Sequence, residues 1–139
     1  MSNFITPADY SASIHQEILQ AITRNDSAMV EIAEDRAIEE MRAYLRVRYD
    51  CDAIFNASGS SRHQLILMFA IDITIFHLFS AGNPIKMTQI RQDRYDRAVE
   101  WLKAVNKGSV NPTGLPLLTP VETHSFMQYG SNPKRQNHY

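Results

Sequence analysis

The feature that most constrains the fold is the apolar run LILMFAIDITIFHLFS at residues 65–80, which has Asp72 in its middle and His77 near its end. A membrane-spanning helix needs about 20 mainly apolar residues, and an ionised carboxylate near its centre is costly. The run is shorter than that and carries a charge. It therefore predicts a buried central helix of a folded domain, around which the other elements pack.

Capping residues and apolar spacing predict further helices on both sides of this run. A short helix is expected to start at Pro7, with Thr6 as its cap, and helical spacing follows over residues 14–24. Longer helices are predicted over residues 27–48 and 88–107. No alternating strand pattern competes with them. The predicted fold is all-α: a small bundle of about four main helices, with a short N-terminal helix and an extended C-terminal tail.

The connection at residues 49–61, YDCDAIFNASGSS, is rich in turn-forming residues and is predicted to be a loop. Ser60 or Ser61 is expected to cap the central helix that follows.

Length and composition indicate one helical domain, residues 1–108, followed by an arm, residues 109–139. The chain has 139 residues, of which 44% are hydrophobic, enough for one core and too few for two domains. The arm holds four prolines and cannot form a long helix. Its apolar side chains either lie back on the domain or contact a partner or another subunit. These candidate contacts are Leu115, Leu117, Leu118, Val121, Phe126, Met127 and Tyr129.

The charges of the chain nearly cancel, with 14 basic and 15 acidic residues, so no net field attracts nucleic acid or an anionic membrane. Within residues 27–48 the acids come first and the arginines last, which complements the helix dipole. We interpret this acidic stretch, which includes Glu31 and Glu34, as a solvated face. A single cysteine, Cys51, excludes an internal disulfide.

Asp72 is the one residue whose sequence surroundings imply an unusual environment. A carboxylate on a helix this apolar must be paired if it is buried. The candidate partners on neighbouring helices are Arg46, Arg48, Arg94 and Arg97. We favour a structural ion pair over a catalytic acid, because no second catalytic group is visible.

No motif for catalysis, metal binding or cofactor binding is found in the sequence. The five histidines have no i, i+3 or i, i+4 relation to one another, and the glycine-rich phosphate loops and the nucleophile elbow are missing. We therefore expect no catalytic residue, no metal site, no cofactor and no enzyme activity.

The predicted last helix carries arginines at positions 91, 94 and 97, a stripe of the kind that contacts phosphate. Neighbouring acids dilute this field, and pairs such as Asp93 with Arg97 favour a salt-bridged surface. A small helical DNA-binding or regulatory protein remains the alternative function, and an enzyme that uses Asp72 as an acid ranks third.

Several segments follow one another in a distinctive order: ITPADY with ILQAITR, then AYLRVRYD followed by AIF, then the run at 65–80, and last RYDRAVEWLKAVNKGSVNP. This order resembles that of the phage Mu-like family of small neck or head-completion proteins. The resemblance covers roughly residues 4–116 and is sharpest in YLRVRYD and RYDRAVEWLKAVNKG. It implies an all-α adaptor fold and supplies no catalytic residues.

The resemblance also implies a role: a structural virion protein of a tailed phage or prophage, in the neck between portal and tail. Many copies would form a homo-oligomeric ring around the channel for DNA, which passes without sequence specificity. The expected partners are the portal protein and a tail or second neck protein, with no membrane partner. Assembly would take place in the host cytoplasm.

Overall fold

The computed structural model of the chain describes residues 3–119. Its α-helices α1–α5 are Gln16–Thr23, Ser27–Leu45, Cys51–Phe55, Gln64–Gly82 and Gln89–Lys107. Short 3-10 helices occupy Pro7–Ala12, Gly59–Ser61 and Pro84–Lys86. Within residues 3–119 the only β pairing is an isolated antiparallel bridge between Tyr49 and Leu117. The predicted all-α bundle with four main helices and a short N-terminal helix is confirmed.

Two local predictions were wrong. Residues 49–61 are not all loop, because Asp50 accepts a hydrogen bond from the amide of Ala53 and so starts the short helix α3. The cap of α4 is His63, whose ring nitrogen accepts from the amide of Ile66, in place of Ser60 or Ser61. The serines form the preceding 3-10 turn, which delays the start of α4.

Helix α4 is the centre of the bundle. It buries side chains on all its faces and packs against α1, α2 and α5. By length and composition α4 also qualifies as a possible membrane span, because an 18-residue window within it has a mean hydropathy of 1.9. However, 61% of this window is buried within the protein. A helix that is apolar on every side is the pattern of an enclosed core helix.

Contacts along the helices fix their directions. Met29, near the start of α2, lies at Gly82, the last residue of α4, so α2 and α4 are antiparallel. Helix α5 is antiparallel to α4 as well, because Trp101 packs on Phe69 while Tyr95 stacks on Phe76. Helices α2 and α5 therefore run parallel to each other.

The N-terminal segment is held to the bundle by Arg62. Its guanidinium donates to the carboxylate of Asp9 at 2.6 Å and to the carbonyl of Phe4 at 2.8 Å. Burial alone would raise the pKa of Asp9, but hydrogen bonds from Arg62 and Thr6 outweigh it and hold the pKa below its usual value. The contact closes the bundle over the start of α4.

The first part of the C-terminal arm lies back on its own domain. Leu115 is buried, the amide of Asp50 donates to the carbonyl of Pro116 at 2.9 Å, and the amide of Leu118 donates to the carbonyl of Arg48 at 3.1 Å. This pairing places the chain near residue 118 beside the C-terminal end of α2.

Gly82 allows α1 to approach α4 closely. A methyl group at this position would lie 2.5 Å from the carbonyl oxygen of Ile22, closer than any stable contact. The neighbouring atom is backbone, so it cannot swing aside. The position of α1 against α4 thus depends on the missing side chain.

We expect Gly82→Ala to destabilise the fold by about 1–3 kcal/mol through overpacking. Helix propensity alone would favour alanine by about 1 kcal/mol, so the sign of the change separates the two effects. Urea unfolding followed by circular dichroism measures it, with the exposed neighbour Ser80→Ala as control. A more stable Gly82→Ala protein would contradict the close packing.

Candidate interaction surfaces

Asp72 forms its ion pair with Arg97. The Asp72 side chain is 2% exposed, and its Oδ2 accepts a hydrogen bond from Nη2 of Arg97 at 3.0 Å. The guanidinium of Arg97, which is half exposed, also lies over the ring of Phe69. Asp93, the partner expected for Arg97 on the surface, accepts a hydrogen bond from Gln89.

The other three candidate arginines lie elsewhere. Arg48 lies against Gly108 at the end of α5, and Arg46 is the C-cap residue of α2. Arg94 lines a surface groove described below. Burial raises the pKa of Asp72 above its usual value, and Arg97 offsets only part of this effect. The geometry is that of a charge enclosed between α4 and α5.

Glu34 was wrongly interpreted as part of a solvated face. It is buried, and its carboxylate accepts a hydrogen bond from the hydroxyl of Tyr10. Burial raises the pKa of Glu34, and the nearby carboxylates of Asp35, Glu31 and Asp9 raise it further, whereas the Tyr10 hydrogen bond lowers it. The pKa of Tyr10 is raised strongly by burial and by Glu34. No local pattern in α2 signals this contact, because Tyr10 lies in the N-terminal 3-10 helix.

A third polar contact joins the three long helices. Glu40 of α2 accepts from the hydroxyl of Tyr95 at 3.0 Å and lies 3.8 Å from the ring nitrogen of His77. The pKa of Glu40 is lowered, mainly by the nearby ring of His77 and also by the hydrogen bond from Tyr95. Burial, together with Glu40, raises the pKa of Tyr95 to about 12. His77 thus has a partner on α2 and does not face Asp72.

One side of α1 borders a groove that we call the basic groove. Its volume is about 930 Å³, and it lies between α1, the end of α4 and the start of α5. Apolar side chains from all three helices line it, including Ile18, Phe79 and the exposed Ile90. The basic residues of its lining are Arg24, Lys86, Arg91 and Arg94, with His15 beside them and Glu17 as the acid.

The other side of α1 borders a smaller groove that we call the acidic groove. It has a volume of about 380 Å³ and lies between α1, the N-terminal segment and α2. Its charged lining residues are Asp26, Glu31 and Glu34, and no basic residue lines it. Since a helix turns about 100° per residue, Ile18 and Ala21 face one groove while Gln16 and Gln20 face the other.

Exposed large apolar side chains lie at both ends of the bundle. Ile85, in the turn between α4 and α5, is 92% exposed. At the opposite end, beside the Tyr49–Leu117 bridge, Val47, Leu117 and Leu118 are exposed, Leu117 by 70%. We call these two areas the turn end and the bridge end.

The arm residues predicted to contact partners have different positions. Leu115 is buried in its own chain, as expected from the alternative in which the arm lies back on the domain. Leu117 and Leu118 are exposed at the bridge end. The remaining candidates, Val121, Phe126, Met127 and Tyr129, lie outside the described residues.

Among residues 3–119 the structure brings together no group of three or more histidine, cysteine or acidic side chains able to hold a metal ion. Asp72 lines neither the basic nor the acidic groove.

We expect Arg97→Ala to destabilise the protein more than Asp72→Ala does. Losing Arg97 leaves an enclosed carboxylate unpaired, which costs about 1–3 kcal/mol here, less than for a fully buried pair because Arg97 is half exposed. Losing Asp72 still destabilises, but it leaves an arginine that water can solvate. Thermal unfolding measures both, with exposed Lys103→Ala on the same helix as control. Unchanged melting temperatures would contradict a structural ion pair.

We expect Glu34→Gln to become more stable relative to the wild type as the pH rises. Because the pKa of Glu34 is raised in the folded chain, its ionisation removes stability as the pH passes upward through that raised pKa. Glutamine accepts the Tyr10 hydrogen bond without ionising. Urea unfolding between pH 4.5 and neutral pH tests this, with the exposed Glu39→Gln on the same helix as control. A difference that does not change with pH would contradict burial of the charge.

A comparison with protein-family models matches residues 4–123 to the family described as Bacteriophage Mu, Gp36. Comparisons with curated proteins and with solved structures gave no match. The family match covers nearly all of the helical bundle and the bridge end, and it agrees with the resemblance seen in the sequence segments. The chain therefore belongs to the Bacteriophage Mu Gp36 family of phage proteins.

Proposed function

We propose that the chain is a head-tail connector subunit, a structural virion protein in the neck of a tailed phage or prophage. It joins the portal to the tail or to a second neck protein, lines the DNA channel as one copy of a ring, and works by geometry without catalytic turnover. Family membership supports a phage protein. The observation that carries the finer proposal is the exposure of large apolar side chains at both ends of the bundle.

A subunit held between two partners needs a contact surface at each end. The turn end carries Ile85, and the bridge end carries Val47, Leu117 and Leu118. A 19-residue helix such as α4 is about 28 Å long, so the two areas lie about that far apart. Grouped exposed apolar side chains, as at the bridge end, mark contact sites, and at the turn end the almost complete exposure of Ile85 is the feature that a partner would cover. The two ends therefore suit one partner above and another below the ring.

The charge distribution favours a channel that does not grip DNA. The formal net charge is −1. Within the arginine stripe, Arg97 is bonded to Asp72 and Arg91 lies over the ring of Phe79. The acids interspersed with these arginines along α5 weaken the attraction of the stripe for phosphate, and phosphate neutralisation supplies most non-specific DNA affinity. This argues for an adaptor over a DNA-binding or regulatory protein.

The test is the mass of the full chain, alone and co-expressed with the portal protein of the same phage, by light scattering. We expect a ring or a stable complex with the portal. We expect Ile85→Asp and Leu117→Asp each to disrupt one of the two end contacts, because an aspartate at an apolar interface must be desolvated. The exposed side-face substitution Lys103→Asp is the control.

A chain that stays monomeric and does not bind the portal protein would contradict the adaptor function. Strong, salt-dependent binding of that single copy to duplex DNA would then favour the DNA-binding alternative.

A further inference from the structure

The basic groove carries more positive than negative charge, because Arg24, Lys86, Arg91 and Arg94 stand in its lining against the single acid Glu17. Nη1 of Arg91 is buried and has no hydrogen-bond partner among the described residues. Burial and the neighbouring Arg94 lower the pKa of Arg91, so two like charges lie close together in a partly desolvated place. Buried donors of this kind are normally paired. The groove is therefore complementary to a segment that carries carboxylates.

The same groove is complementary to an apolar side chain between those carboxylates. Ile18 and Ile90 are exposed along it, and Phe79 forms part of its lining. An occupant that is purely acidic would leave these side chains in water. The matching segment is one that presents an apolar residue with acids beside it.

The start of α2 presents such a segment, which we call the acidic edge. Ile32 is 52% exposed there, Glu31 precedes it, and exposed Asp26 lies at the helix N-terminus. One turn further along α2, Arg36 is the basic residue on the same side of the helix as Ile32. The acidic edge thus offers carboxylates to the arginines of the groove and an exposed isoleucine to its apolar lining.

The groove and the acidic edge of one copy cannot meet each other. Helix α1 lies between the basic groove on one face and Asp26 with Glu31, in the acidic groove, on the opposite face. Two complementary surfaces on opposite sides of a subunit produce head-to-tail contacts, and such contacts close into a ring when the rotation per copy allows it.

We propose that the basic groove of one copy binds the acidic edge of a second copy, with Ile32 between Ile18 and Ile90 and with Glu31 and Asp26 facing Arg91, Arg94 and Lys86. This contact rests on the proposed adaptor function for its setting, a ring of identical subunits. The groove lining does not include Ile85 of the turn end or Val47, Leu117 and Leu118 of the bridge end, so those side chains stay available to portal and tail.

Charge reversal tests the contact in the full chain. The groove variant is Lys86→Glu with Arg94→Glu, and the edge variant is Glu31→Lys with Ile32→Lys. Sedimentation velocity is measured with and without co-expressed portal. We expect each variant alone to lose self-association by at least about tenfold, since each places like charges opposite one another. Mixing the two variants sets the reversed groove of one against the reversed edge of the other, which should restore self-association in part, since the apolar contact of Ile32 stays lost.

The matched control for the groove variant is Lys103→Glu with Lys107→Glu. It changes the net charge by the same amount as the groove variant, but at the other end of α5. It should assemble like the wild type. Melting temperatures identify any variant that fails to fold, and recovery on mixing shows that both variants are folded.

The outcomes separate this contact from the adaptor function. If the chain binds the portal protein and charge reversal does not change its self-association, the proposed contact is overturned and the adaptor function stands. If self-association depends on these charges but the chain does not bind the portal protein, the contact is supported and the adaptor function is contradicted. Charge reversal could leave assembly unchanged while removal of residues 120–139 abolishes it. That result would overturn the contact and assign the basic groove to the removed segment. A wild-type chain that never self-associates would overturn it outright.

Discussion

Helix α4 is apolar on every face, so water must be excluded from all of its sides. Helices α2 and α5 run along it in the opposite direction, and α1 closes its C-terminal half where Gly82 permits close approach to Ile22. This arrangement fixes the outer surface as well as the core. Because the short helix α1 stands between α2 and α5 at this point, a groove opens on each side of it, one basic and one acidic.

Polar contacts at the margin of the core determine how the helices are oriented. The Asp72–Arg97 pair joins α4 to α5, Tyr95 joins α5 to Glu40 of α2, and Tyr10 joins the N-terminal segment to Glu34. A buried polar group without its partner is costly, so these contacts disfavour alternative packings. They also pair several charged side chains within the subunit, so that these charges do not face partners. What remains for partners is a nearly neutral surface with two apolar ends and two grooves of opposite sign.

Local patterns predicted the helices well because capping and periodicity are local. Pro7, Thr88 and Gly108 mark helix ends in the sequence, and the structure places ends there. The pairing of Asp72 was limited to four arginines, but the choice of Arg97 depends on how α4 and α5 pack. Glu34 was missed because its partner Tyr10 lies 24 residues away. The grooves combine distant segments and have no sequence signature.

The central claim is that this chain occupies the neck, between portal and tail. The most direct measurement is cryo-electron microscopy of intact phage particles at a resolution that identifies helices. The account predicts a ring of these bundles around the DNA channel, with the turn end and bridge end facing the components above and below. Particles whose neck contains no such bundle, or in which the chain lies in the capsid shell or tail tip, would contradict it.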